Sequence, residues 1–409
     1  MSRRRGAGGR PVRVGVFGLL GSGNLGNDGS LEAVLQYLRA DHPDAVVDAL
    51  CGGPEAVRAR YRIPATRLHW YRGEYRTASR AGAVAGKALG KVVDAARTAA
   101  WVRRHDVVIV PGMGVLEATL PLRPWGFPYA LFLLCASGRA LGTPVALVGV
   151  GAAPIRDRAT RALVRWSGKL AAYRSYRDDL SRDAMRRMGV DTSGDKVYPD
   201  LAFALPTPQA SAPPGQVCVG VMDFHGGNDD RARAEEIHRR YLEGTTRFVR
   251  ALVEDGRRVR LLTGDACDTS VVEAILRAVD SPLVSASDAT SLDALMREAA
   301  DAESVVATRY HNLVCALKAG TPTLALSYAA KSDALMDRMG LGAYRHPARE
   351  VDADQLLVQF RDLEKHGAEL RNTLTERNRE AERQLRDQFR DLTEALFPAA
   401  AHDRMRETP

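Results

Sequence analysis

Cysteine is scarce and solitary. Five occur in 409 residues, at 51, 135, 218, 267 and 315, and no two form a C-x-x-C pair. That excludes a zinc ribbon or a dithiol redox centre, and isolated buried thiols suit a reducing compartment. Aromatic residues are few, at 6 %. No basic, aromatic-interleaved strand pattern and no zinc-finger spacing occurs, so a nucleic-acid partner is not expected. There is no G-x-x-x-x-G-K-[ST] phosphate loop and no G-x-S-x-G nucleophile elbow. No pair of His, Asp or Glu residues falls at ligand spacing within one element, so no metal is expected. Asn228-Asp229-Asp230 is polar but opens a helix, where capping accounts for it.

Long apolar runs are also missing. The most apolar window, 129–152, is interrupted by Arg139, Gly142 and Pro144. It reads as a buried helix, a turn and a strand, not a membrane span. The start, MSRRRGAGGR, is basic, but the apolar run behind it, VRVGVFGLL, is short and reads as a first strand. A cytoplasmic protein is expected.

The net charge is +8, mostly from arginine. It admits two readings: the composition of an Ala/Arg/Gly-rich genome, or a preference for phosphates, carboxylates and acidic lipid headgroups. The second reading includes peripheral contact with an anionic membrane face.

What is present is alternation. Apolar runs at 12–19, 45–50, 106–112 and 144–151 read as strands, with helices between them. Residues 205–216, LPTPQASAPPGQ, have linker composition. The alternation then restarts, with strands at 216–224, 258–264, 303–309 and 321–328 and helices at 231–255, 269–279 and 311–319. Such alternation builds parallel sheets covered by helices, with sites at the carboxyl ends of strands. The expected fold class is α/β, two halves facing across a cleft. The expected divisions are a disordered basic N-terminus (1–11), a first domain (12–205), a linker (206–216), a second domain (217–350) and a helical tail (351–409) packing back on the body. In that tail Leu385, Phe389, Leu392 and Leu396 form one apolar stripe.

Residues 21–26, Gly-Ser-Gly-Asn-Leu-Gly, match G-x-G-x-x-G between a strand and a helix, and Asp48 stands near the place of a ribose-binding carboxylate. The loop runs on through Asn27-Asp28-Gly29-Ser30, with Asp28 or Ser30 as the expected N-cap. A dinucleotide, another anion or polar ligand, and a purely structural turn all remain open.

The stretch FGLLGSGNLGNDGSLEAVLQYL resembles the opening motif of the polysaccharide pyruvyl transferase family. DVVIVPGMGVL (106–116), VGVGAAPI (148–155), YRSYRDDLSRDAMRRMGV (173–190) with VYPDLAF (197–203), and ATRYHNLVCALKAGTPTLALSYAAKSDALMDRMGL (307–341) resemble further family blocks in order. Pro111-Gly112-Met113-Gly114 departs from the consecutive glycines usual there.

The resemblance implies two Rossmann-like domains of GT-B type, the first on the acceptor side and the second on the donor side. It implies transfer of a pyruvyl group from phosphoenolpyruvate to a sugar as a cyclic ketal. Phosphoenolpyruvate is then a co-substrate, and no cofactor is needed. His311 is expected as general acid/base and Arg309 as an anion clamp. A capping histidine and an ion-paired arginine are the structural alternative. Lys331, Tyr328, Asn312 and His225 are donor-side candidates. Gly23, Asn24, Gly26, Asp28, Gly112, Gly114, Arg177 and Asp200 are acceptor-side candidates. A nucleotide-sugar glycosyltransferase and a non-catalytic carbohydrate- or anion-binding relative are the alternative functions.

Overall fold

The computed structural model describes residues 10–70, 80–117, 124–210 and 215–397. The chain divides into two compact units. One comprises Met1–Ser22, Ser30–Leu201 and Gln384–Pro409; the other comprises Gly23–Gly29 and Ala202–Arg383. Residues 1–9, 211–214 and 398–409, parts of the expected disordered N-terminus, linker and tail, lie outside the described residues.

The chain up to residue 197 supplies β1 (Arg13–Gly18), α1 (Leu25–Asp41), β2 (Val46–Cys51), α2 (Pro54–Tyr61), β3 (Ala65–Arg67), α3 (Arg80–Val102), β4 (Val107–Pro111), α4 (Phe127–Leu141), β5 (Val145–Val150), α5 (Arg158–Leu170), β6 (Tyr173–Tyr176), α6 (Asp179–Arg187) and β7 (Lys196–Val197). The first unit's seven strands pair in the order β3-β2-β1-β4-β5-β6-β7. Every pairing is parallel. All residues of β4 and β5 are buried. Strands covered on both faces carry continuous apolar runs, which is how VVIV and VALVGV read.

The second unit repeats the plan with β8 (Gln216–Gly220), α7 (Ala234–Glu254), β9 (Arg258–Leu262), α8 (Thr269–Val279), β10 (Val284–Ala286), α9 (Leu292–Ala300), β11 (Ser304–Ala307), α10 (Tyr310–Lys318), β12 (Thr323–Ser327), α11 (Ala330–Arg338), β13 (Arg345–Pro347) and α12 (Ala353–Lys365). Its parallel sheet has the order β10-β9-β8-β11-β12-β13. In both sheets the strand order reverses beside the first strand, between β1 and β4 and between β8 and β11. Such switch points leave a crevice at the strands' carboxyl ends.

A last helix, α13 (Gly367–Leu396), contributes to each unit in turn. In the second, Asn378 Nδ2 donates to the carbonyls of Leu317 and Lys318. In the first, Gln388 Nε2 donates to Ser175 Oγ and Phe389 stacks on Tyr37 at 4.7 Å. The tail thus packs back on the body, as its apolar stripe predicts.

One boundary differs from expectation. α1 begins at Leu25, so Asn27-Asp28-Gly29-Ser30 is helix, not loop. Asn24 Oδ1 accepts from Asn27 N at 3.2 Å and takes the capping place expected of Asp28 or Ser30.

Candidate functional site

The second unit gathers most of the expected residues at the carboxyl edge of its sheet. β11 ends at Ala307, and Arg309 stands as the N-cap residue of α10, with φ −63° and ψ 132°. Its Nε lies 2.9 Å from Asp268 Oδ2, and its Nη2 lies 2.5 Å from Asp268 Oδ1 and 3.1 Å from Cys267 Sγ. Asp268 is fully buried. Its carboxylate also accepts the backbone N–H groups of Asp223, Gly264 and Asp265. Burial opposes the charged guanidinium, but the hydrogen bonds and charge of Asp268 outweigh it and hold the Arg309 pKa above its ordinary value. Nη1 makes no hydrogen bond among the described residues, so one edge of the fork is fixed and the other is available to an anion.

Two residues on, His311 packs against the glycine segment 23–29 of the same unit. A Cβ built on Gly26 would lie 2.0 Å from His311 Cε1. Gly29 is held the same way, its missing Cβ 2.0 Å from Leu292 Cδ1. Asn24 Nδ2 donates to Asp265 Oδ2 at 3.3 Å. Gly23, with φ +94°, meets nothing within 4 Å of where a side chain would start. Asp28 is buried in the first turn of α1. These glycines serve close packing around an imidazole. The dinucleotide reading of the loop also loses its carboxylate: Asp48 accepts from Trp101 Nε1 at 2.6 Å and pairs with His105 Nε2 at 3.0 Å.

Lys331 Nζ lies 5.7 Å from the ring centre of Tyr310 and 5.9 Å from that of Tyr328. Both are cation–π distances. Asn312 is fully buried, and among the described residues neither its Oδ1 nor its Nδ2 finds a hydrogen-bond partner. It sits against Gly220 and Gly264. His225 lies on the loop after β8, half-exposed, its Nε2 3.0 Å from Asp223 Oδ1.

In the first unit the expected acceptor residues face inward. Arg177 Nη2 bonds Glu117 Oε1 at 2.5 Å, Nη1 lies 3.6 Å from Asp200 Oδ2, and Nε lies 3.7 Å from Asp178 Oδ2. Arg177, Glu117 and Asp200 are all buried. Asp178 accepts from Ser181 N and so caps α6, while Ser181 Oγ accepts from Ala152 N at the end of β5. Arg177 and Asp200, named as acceptor-side candidates, sit in a buried ion-pair network with Glu117 and Asp178. Gly114 belongs to it too: a Cβ there would lie 2.8 Å from Glu117 Cδ, and one on Gly151 would lie 2.6 Å from Arg177 Nη2. Gly112, φ +49°, is pressed by Ser30, whose Oγ would be 2.3 Å from a Cβ.

The sequence profile described as polysaccharide pyruvyl transferase matches residues 24–329, three quarters of the chain. The chain belongs to the polysaccharide pyruvyl transferase family. No curated protein matches the sequence. Among solved structures, UDP-N-acetylglucosamine 2-epimerase from Rickettsia bellii is similar at TM-score 0.61 and 10 % identity, covering 96 % of this chain and 98 % of that one. The Neisseria meningitidis UDP-GlcNAc 2-epimerase bound to UDP-GlcNAc gives 0.60 and 11 %, covering 94 % and 99 %. Anabaena HepE in complex with UDP-glucose gives 0.58 and 12 %, covering 94 % and 99 %. At such identities the likeness shows the fold alone, parallel α/β domains of the GT-B type.

This pyruvyl transferase family member departs from consecutive glycines at Met113, and the structure shows where that side chain goes. Met113 takes φ +63°, unusual for a side-chain-bearing residue, and is buried. Its Cε would lie 2.3 Å from a Cβ on Gly18. The methionine therefore fills the space beside the end of β1.

The structure also assembles a group that spacing within single elements does not reveal. Asp223, His225 and His238 place one possible ligand atom each within 4.8 Å of one another. His238 comes from α7 and the other two from the preceding loop, so the group spans two elements. Among the described residues no helix is long and apolar enough to cross a membrane.

Proposed function

We propose that the chain transfers a pyruvyl group from phosphoenolpyruvate to a glycan or lipid-linked sugar, closing a cyclic ketal. The observation that carries this reading is Arg309, held by buried Asp268, two residues from His311 at the switch point of the second sheet. Family membership supports it.

The donor carries an enol phosphate and a carboxylate. In the proposed sequence a proton is added at C3, a first sugar hydroxyl adds to C2 and loses its proton, and the C2–O bond to phosphate breaks. A second hydroxyl then adds to C2 and closes the ring. The products are the ketal and inorganic phosphate, which carries the second hydroxyl's proton. His311 has the chemistry to hold and pass these protons, help worth about 10²–10⁴-fold. The outward edge of Arg309 and the ammonium of Lys331 offer the charge to clamp phosphate and carboxylate. Tyr328, Asn312 and His225 stand on the donor side in this reading, with Asn24 and Asp28 nearest the acceptor. A cytosolic donor places the reaction in the cytoplasm, and a lipid-linked acceptor would bring the basic chain to the inner membrane face.

Calorimetric titration with phosphoenolpyruvate, UDP-sugars and NAD in parallel, repeated with Arg309→Ala, tests this. Binding of phosphoenolpyruvate that the variant loses supports it. Binding of a UDP-sugar alone rejects it in favour of nucleotide-sugar chemistry such as that of a glycosyltransferase; two of the solved neighbours are bound to UDP-sugars.

A further inference from the structure

We infer that Asp223, His225 and His238 bind one divalent transition-metal ion. Asp223 and His225 lie three and five residues beyond Gly220, the end of β8, and His238 faces them from the second turn of α7. Asp223 Oδ1 is 3.0 Å from His225 Nε2 and 3.4 Å from His238 Nδ1. A tetrahedral ion with bonds of about 2.0–2.1 Å sets its ligand atoms roughly 3.3 Å apart, close to these two separations. The second observation is His238 Nδ1 itself. It is shielded from solvent and makes no hydrogen bond among the described residues, although Asp223 Oδ1 stands 3.4 Å away. A buried imidazole nitrogen without a partner is costly unless something else meets it.

The donor set narrows the ion. Two imidazoles and one carboxylate suit zinc, cobalt, nickel or iron, whereas magnesium and calcium prefer oxygen ligands throughout. The two rings now stack at 4.3 Å with planes 7° apart, and rotation about their side-chain bonds turns both nitrogen edges toward a shared ion. Glu235 Oε1 lies 3.9 Å from Nδ1 of His225, the nitrogen that faces away from Asp223, too far for a hydrogen bond as the side chains stand. All three side chains keep some solvent exposure, which leaves coordination positions open. The site is also tied to the clamp: Asp223 N donates to Asp268 Oδ1 at 2.9 Å, the carboxylate that holds Arg309. The inference rests on this geometry and not on the transfer reaction.

The test uses the full chain, untagged and stripped with chelator, titrated with Zn²⁺ and separately with Co²⁺. One zinc per chain by elemental analysis is expected, together with the intense visible absorption of low-coordinate Co²⁺. Asp223→Asn and His238→Ala should each weaken zinc binding about 100-fold or more, while His366→Gln should not. Should His238→Ala fail to fold, the more exposed His225→Ala carries the same expectation. Absence of stoichiometric zinc, or zinc binding that folded variants at 223 and 225 leave unchanged, overturns the site and leaves a carboxylate flanked by two stacked imidazoles.

Discussion

The hydrogen that stands for a side chain at residue 26 decides how close His311 can come. Gly26 lies inside α1 and has no left-handed backbone, so alanine there would ordinarily favour the helix by about 1 kcal/mol. Its Cβ would nevertheless fall 2.0 Å from the His311 ring. Gly26→Ala should therefore fold with a melting temperature near that of the parent and lose at least about tenfold in turnover, since small misplacement of a reacting group is expensive. Full turnover in a folded variant would separate Gly26 from the site. Asp48 gives a second residue-level expectation. Burial raises its pKa, but hydrogen bonds from His105 and Trp101, with the His105 charge, outweigh that and hold it below the ordinary 3.8. A carboxylate depressed on folding stabilises the protein above its unfolded pKa, and that contribution is lost as pH falls through the folded value. Asp48→Asn should thus lower stability at neutral pH, and the gap from the parent should close below about pH 4 in urea melts across pH. A gap independent of pH would mean that the lost hydrogen bonds, not the charge, matter.

At the scale of elements, the carboxyl ends of β4, β5 and β6 are organised around the Arg177–Glu117 pair. Breaking a buried pair by removing one charge costs about 3–5 kcal/mol. Asp178 and Asp200 still face Arg177, so Glu117→Gln should cost near the lower end, about 3 kcal/mol, read from urea unfolding. A loss within 0.5 kcal/mol would show that the remaining carboxylates suffice. The same strand ends show what a sequence can and cannot tell. Strands such as VVIV and VALVGV were legible because burial on both faces leaves an uninterrupted apolar run. The start of α1 was not, because Gly26 and Gly29 look like loop residues until His311 and Leu292, from distant parts of the chain, are seen against them. Arg177 and Asp200 were recognisable as notable residues, but their partner Glu117 carries no spacing signal. Asp223 and His225 are near neighbours, yet the third member of their cluster is thirteen residues further on, across a turn and into a helix. Arg309 and His311 stand out in the sequence because their strand, their helix and the family block coincide.

For the whole molecule, α13 has a consequence that fluorescence can read. All four tryptophans, at 70, 101, 125 and 166, belong to the unit containing Ser30–Leu201. That unit also takes the last part of the chain, from Gln384 onward, including buried Leu385, Leu392 and Phe397. Each such side chain contributes about 1.5–3 kcal/mol when fully buried. Three together amount to roughly 5–9 kcal/mol, against a typical domain stability of about 5–15 kcal/mol. Gln388 and Thr393 add buried hydrogen bonds to Ser175 and Tyr37. Ending the chain after Arg383 should therefore unfold the tryptophan-bearing unit and leave the other with its own segment of α13. Trp101 is buried whereas Trp70, Trp125 and Trp166 are exposed, so it is the Trp101 part of the emission that should shift to the red and lose its cooperative thermal transition. Circular dichroism should still show a melting step from the parallel sheet of β8 to β13. A truncated chain that keeps a blue-shifted, cooperatively melting Trp101 component would mean that the first unit's core is self-sufficient. Loss of both signals would mean that the second unit does not stand without the first.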